Sequence, residues 1–175
     1  MDKETFDKLI DSFRKIYEQK TILSSYINYY NALVLWLKEH SNLLSIEQLK
    51  TNRLDILLNI DSQKYVISNP ELSLDQEYKR IGERDYETIE ELIMSISTTL
   101  WDLVTIRTGI DCPNCIDDEL RYVIAENKEK GIHELLLECE TCGWTEHSDG
   151  KQWKEEIVNI IPASMEEIKN KVHKI

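Results

Sequence analysis

Cys112-Pro113-Asn114-Cys115 and Cys139-Glu140-Thr141-Cys142-Gly143-Trp144 contain all four cysteines of the chain, with 23 residues between the two pairs. Two residues between cysteines make a tight turn that brings both thiolates to one side, where backbone N–H groups reach the sulfurs. Each pair is therefore half of a metal site. Pro113 sets φ inside the first turn, and Gly143 after the second pair takes a positive φ at little cost. Between the pairs lie Leu120-Arg121-Tyr122-Val123-Ile124-Ala125, then turn-forming residues 127–131, then Ile132-His133-Glu134-Leu135-Leu136-Leu137-Glu138. This order is strand, turn, strand. The hairpin carries Cys139 back towards Cys115 and closes a site of four ligands, Cys112, Cys115, Cys139 and Cys142.

Other uses of cysteine fit less well. A redox CxxC needs one pair at a strand-to-helix junction, where a helix N-terminus lowers the thiol pKa. Disulfides belong to oxidising compartments, and Met1-Asp2-Lys3-Glu4-Thr5-Phe6 has no apolar signal core. Four thiolates also fill a tetrahedron and leave no position for water, which points to structural rather than catalytic metal.

The CPxC…CxxCG pattern with Trp144 following resembles the zinc-ribbon superfamily over about residues 110 to 147. The resemblance implies a three-stranded sheet with one structural zinc ion at its head, on Cys112, Cys115, Cys139 and Cys142. The first pair carries Ile116 where the family often has glycine. No specific family pattern is legible over the residues that precede it.

The chain has 175 residues and a formal net charge of −12, enough length for one substantial core or a core plus a small metal-held module. Its longest apolar run, residues 32–37, is far short of the roughly 20 needed to span a bilayer. A cytoplasmic, non-membrane protein is expected. Residues 111–150 contain eleven acidic and three basic side chains, a net of −8 before any thiolate is counted. Phosphate binding draws on Lys and Arg and on counterion release, so this segment repels nucleic acid. The same charge steers association with a basic protein, or it simply keeps the chain soluble.

Apolar positions at helical spacing predict helices over residues 5–19, 22–39 and 46–60, the last with Ser45 and Gln48 as a capping box. Tyr26, Tyr29 and Tyr30 read as core and core-edge packing. Residues 64–68 read as a short strand or extended link, and the polar span 71–85 as a loop with one helical turn. A fourth helix starts at Thr88 and Glu91 and ends near Arg107-Thr108-Gly109. Residues 155–161 read as a strand that adds to the sheet, and Ser164 with Glu167 caps a short final helix.

No nucleophile elbow, phosphate-binding glycine loop or HExxH is present, and five glycines leave little material for nucleotide loops. Asp117, Glu126 and Lys128 superficially match a metal-dependent nuclease pattern, but they fall on one strand and its flanking turns, without the wider sheet that such a site needs. His40, His133, His147 and His173 are scattered and read as surface histidines.

The expected fold is α+β. Residues 1–109 form a helical part of about four helices, packed with a four-cysteine zinc-ribbon β-sheet and short final helix over 110–175. The expected function is non-enzymatic: an acidic adaptor or immunity-type inhibitor acting on a basic protein partner. The alternative is a transcription-associated zinc ribbon that contacts polymerase or nucleic acid, and an active site dispersed along the sequence is a third reading.

Overall fold

A computed structural model describes residues 2–19, 22–69, 71–154 and 159–172. The chain divides into two compact units, one of residues 1–62 and 67–103, the other of residues 63–66 and 104–175. The helical elements before the sheet and the antiparallel strands after them make the fold α+β.

The helical unit starts with α1 (Lys3–Arg14), whose Asp2 side chain accepts from the Thr5 N–H, and whose Leu9, Ile10 and Phe13 are buried. A 3-10 turn follows (Ile22–Ser24), and then α2 (Tyr26–Glu39) is capped by Ser25. The single helix expected over 22–39 therefore begins four residues late, because the Ser25 hydroxyl accepts from the Asn28 N–H and stops the helix from extending backwards. Tyr29, Tyr30, Leu33, Trp36 and Leu37 are buried, while Tyr26 is half-buried, so the tyrosine cluster is core and core edge as expected. Phe13 meets Trp36 edge-on at 5.2 Å and Tyr17 at 5.6 Å, which joins α1 to α2.

One helix was expected over 46–60, but two form: α3 (Ile46–Thr51) and α4 (Leu54–Leu57). The Ser45/Gln48 capping box is complete, yet Arg53 sits at φ 55° and breaks the ladder. Its guanidinium lies over the Trp101 ring at 4.9 Å, and the Ser97 hydroxyl donates to the Asn52 carbonyl. The break redirects the chain so that Leu54 and Leu57 are fully buried.

Residues 64–68 form no strand; the Ser68 N–H donates to the Leu103 carbonyl. The span expected to be mostly loop is more ordered than its polarity implied. It contains α5 (Leu74–Glu77), with Ser73 and Gln76 as a second complete capping box, and runs directly into a π-helical turn, Tyr78–Gly82. Glu77 is fully buried, and its carboxylate accepts from Asn69 at 2.9 Å and from Arg80 at 2.9 Å. The same guanidinium donates to Thr99 and lies 3.7 Å from Asp102. Each charge here has a partner, as a buried carboxylate requires. Beside it the Tyr17 and Tyr29 hydroxyls share a hydrogen bond of 3.0 Å, and burial pushes both phenols well above their usual range. The last helix of the unit, α6 (Ile89–Val104), buries Leu92, Ile93, Ile96 and Leu100. Thr88 and Glu91 hold its start, with Thr88 accepting from the Glu91 N–H and Glu91 from the Glu87 N–H.

The end of α6 is where the sequence misled most. The sequence pattern predicts a helix terminus at Arg107-Thr108-Gly109, but Ile106–Asp111 is strand β1. It pairs antiparallel with β2 (Glu119–Asn127), which in turn pairs with β3 (Ile132–Glu138) in the expected hairpin. Gly131, at φ 66°, and the Asn127 side chain, which accepts from the Lys130 N–H, make the turn. β4 (Thr145–Glu146) extends the sheet beyond β3, and β5 (Asn159–Pro162) pairs with β2. Because β3 occupies one edge of β2, β1 and β5 lie end to end along the other. Among the described residues five strands thus replace the three that the resemblance implied, and the expected added strand is among them; residues 155–158 of that strand and His173 lie outside the described residues.

α7 (Met165–Val172) starts at the predicted cap, with Ser164 and Glu167 exchanging hydrogen bonds. Its Ile168 packs with Ile124, Leu135 and Ala163 on one sheet face. Among the described residues, no helix is long and apolar enough to cross a membrane.

Candidate metal centre

Each cysteine pair lies on a turn at one end of the sheet. β1 delivers the chain into the first, and β3 delivers it into the second. The two turns have the same hydrogen-bond design. The N–H after each pair returns to the carbonyl of the pair's first cysteine, Ile116 to Cys112 at 3.0 Å and Gly143 to Cys139 at 3.0 Å. Each first cysteine donates its own N–H forward, Cys112 to Asp118 and Cys139 to Trp144, both at 2.8 Å. This closure demands a left-handed residue after the pair. Gly143 meets it at φ 71°, and Ile116 meets it at φ 64°. The first turn therefore keeps the conformation that glycine would favour, although left-handed backbone costs a non-glycine residue on the order of 1–2 kcal/mol.

All four sulfurs lie within 4.8 Å of one another. Across the turns, Cys112 Sγ is 3.6 Å from Cys142 Sγ, and Cys115 Sγ is 3.6 Å from Cys139 Sγ. A tetrahedral ion with metal–sulfur bonds of roughly 2.3 Å has sulfur–sulfur edges of about 3.8 Å, so the cluster is the right size for one such ion and far too open for disulfides. Beneath the turns, buried Cys112, Cys139, Leu120 and Leu137 pack with Tyr122 and Trp144, and the Trp144 ring N–H donates to Glu146 at 2.8 Å. The aromatic residue after the second pair thus roofs the apolar floor of the site.

Sequence reasoning misses Asp118, whose carboxylate ties the two turns together. One oxygen accepts from Arg107 at 3.0 Å and from the Glu119 N–H at 2.8 Å, and the other from the Thr141 N–H at 3.3 Å and hydroxyl at 3.1 Å. Partial burial works to raise its pKa, but the bonds from Arg107, Glu119 and Thr141 outweigh it and hold the carboxyl below the usual range. Groups that brace metal ligands in this way commonly matter for affinity. An acidic residue three positions after Cys115 was the only trace of this role in the sequence.

The thiols are not equivalent. Hydrogen bonds from the Asn114 side chain and the Trp144 N–H hold Cys142 down at about 6, whereas burial pushes Cys139 up to about 12. At neutral pH the metal-free site therefore holds Cys142 largely as thiolate and Cys139 as thiol. Cys115 is raised as well, its bond from the Asp117 N–H being outweighed by desolvation and the neighbouring Cys112 and Cys142, so loading an ion must expel at least the Cys139 and Cys115 protons. Metal affinity is expected to fall by at least about a hundredfold for each pH unit as the pH is lowered from 8 to 6, and more steeply below that as Cys142 also protonates. Chelator competition across this range measures the slope, and a flat profile would contradict the assignment.

Other candidates do not gather here. Asp117 is beside the first turn, while Glu126 and Lys128, 3.6 Å apart, lie at the opposite end of β2, roughly 25 Å along the strand. His133 contacts Glu167 at 2.9 Å, and His147 packs against Trp153 at 5.0 Å, so neither joins the sulfur cluster.

No family model matches this chain, and no curated protein or solved structure is significantly similar to it. What the fold and site define is therefore an α+β protein with a four-cysteine metal-binding site on an antiparallel sheet.

Proposed function

We propose that the chain is a non-enzymatic, cytoplasmic zinc-ribbon protein, holding one structural Zn²⁺ on Cys112, Cys115, Cys139 and Cys142, and acting as an acidic adaptor or immunity-type inhibitor of a basic protein. The observation that carries the metal half is the set of four sulfurs within 4.8 Å. Four thiolates select zinc or iron among common ions and leave no open coordination position for substrate.

The partner half rests on charge. Residues 111–150 carry a net of −8, and four thiolates on one divalent ion add a further −2. Of the three cations in that segment, Arg121 is buried against Glu138 and Lys128 is 3.6 Å from Glu126. Such a surface attracts a basic protein and repels phosphate.

The zinc-ribbon pattern itself favours a second reading, a transcription-associated module that contacts polymerase or nucleic acid. Affinity capture with and without nuclease separates the two. The adaptor reading expects one basic protein retained after digestion. A nuclease-sensitive association that weakens steeply with salt supports the transcription reading instead.

A further inference from the structure

The first cysteine turn holds a residue that its backbone disfavours. Ile116 is β-branched, occupies φ 64° where its counterpart in the second turn is glycine, and is 76% exposed. A β-branched residue in this region is a true outlier, and such outliers concentrate where function requires them. Nor does packing account for it. The apolar cluster beneath the turns consists of Cys112, Leu120, Leu137 and Cys139 with Cys115, Tyr122 and Trp144, none of them Ile116.

A second irregularity lies just upstream. The β1–β2 register shifts between Arg107 and Asp111 around Gly109, at φ 76°, and Ile110 beside it is 51% exposed. Bulges re-aim side chains, and this one leaves an isoleucine in solvent on the strand that enters the same turn. Two apolar side chains are thus presented at the cysteine end of the sheet, each by a departure from regular backbone.

Their surroundings are acidic. Asp111 and Asp117 are exposed there, and the two cations of the flanking strands are engaged, Arg107 with Asp118 at 3.0 Å and Arg121 with Glu138 at 2.9 Å and with the exposed Glu140. A second copy of the chain would bring like charges together, and an anionic lipid surface or nucleic acid would be repelled in the same way. Complementarity calls for apolar surface edged by Lys and Arg.

We propose that the cysteine end of the sheet is a docking surface for a basic protein partner, with Ile116, supported by Ile110, packing on an apolar patch that the partner rims with lysine and arginine. This rests on the acidic-adaptor reading above and names the part of the molecule that makes the contact. The left-handed isoleucine is then a stability cost retained for binding, so replacing it should separate the two properties.

The test uses the full, zinc-loaded chain and two synthetic probes: a helical peptide of leucine and lysine with a leucine ridge edged by lysines, and its copy with serine for leucine. Ile116→Asn, which accepts left-handed backbone, is expected to raise the thermal midpoint by about 2–4 °C. It should also weaken the leucine peptide about tenfold or more, the value of one buried aliphatic side chain. The serine peptide should bind both proteins equally weakly. Equal affinity of wild type and Ile116→Asn for the leucine peptide overturns the proposal, and if that binding is still salt-sensitive the acidic-adaptor reading survives. If neither peptide binds better than an acidic control, that reading fails too. A lowered midpoint in Ile116→Asn shows that the isoleucine holds the turn, and a monomer–dimer equilibrium abolished by the substitution shows that a second copy covers it; either overturns the proposal.

Discussion

Cys139→Ser is expected to abolish stoichiometric metal binding and to unfold the sheet unit, the largest effect of any single substitution in the chain. Cys139 is fully buried, its sulfur is 3.6 Å from that of Cys115, and its N–H closes the second turn on Trp144. Serine stays protonated at neutral pH and cannot replace a thiolate. Structural zinc contributes on the order of 10 kcal/mol to the fold of a small domain, more than the total stability of many domains. The cysteine end has few alternative sources of stability, since two of the four buried residues beneath the turns are themselves ligands. The helical unit, by contrast, has its own core, with Phe13, Tyr29, Leu33, Leu37, Leu57, Ile96 and Leu100 all fully buried. Circular dichroism of the variant should therefore retain most helical signal while the strand contribution and the metal are lost. An unchanged melting curve with full metal occupancy would contradict the assignment.

Arg121→Met is expected to cost about 3–5 kcal/mol, because it strands a buried carboxylate. Arg121 and Glu138 face each other across β2 and β3, joined at 2.9 Å, with each side chain only 8% exposed. A second carboxylate, Glu140 of the second cysteine turn, meets the same guanidinium at 2.5 Å. The arginine thus links the hairpin to the turn that carries two metal ligands. The double variant Arg121→Met with Glu138→Leu removes both charges and should recover much of the loss, since apolar replacement of a buried pair is often close to neutral. Denaturant melts of the metal-loaded single and double variants measure the coupling. Small and strictly additive effects would show that water reaches the pair.

The parts of this fold that were legible in the sequence are those set by local chemistry. Ser45 with Gln48 and Ser164 with Glu167 announced helix starts because a capping box needs only four residues. The same signature at Ser73 and Gln76 is masked by the polarity of the surrounding span, which by itself predicts a loop. The four cysteines revealed the site because ligand spacing is itself the geometry. Features decided by distant partners were not legible. Glu77 reads as one more surface acid until Asn69, Arg80 and the core surround it. Nothing near Arg53 foretells a left-handed break that Trp101 and Ser97 sustain from another helix. β1 lacks clear alternation and has a glycine at its bulge, so only its pairing with β2 makes it a strand. At Ile116 the absence of glycine left the first turn open, and the structure shows the backbone dictating the conformation over the residue's own preference.

Four sulfurs within reach of one ion are proposed to hold zinc, and that ion to organise the sheet. Elemental analysis of the full chain purified under reducing conditions tests this most directly. One zinc per chain is expected, retained through gel filtration and released by a thiol-modifying reagent together with loss of the strand signal. Protein that is folded in its sheet unit, has all four thiols reduced and contains no stoichiometric metal would contradict it.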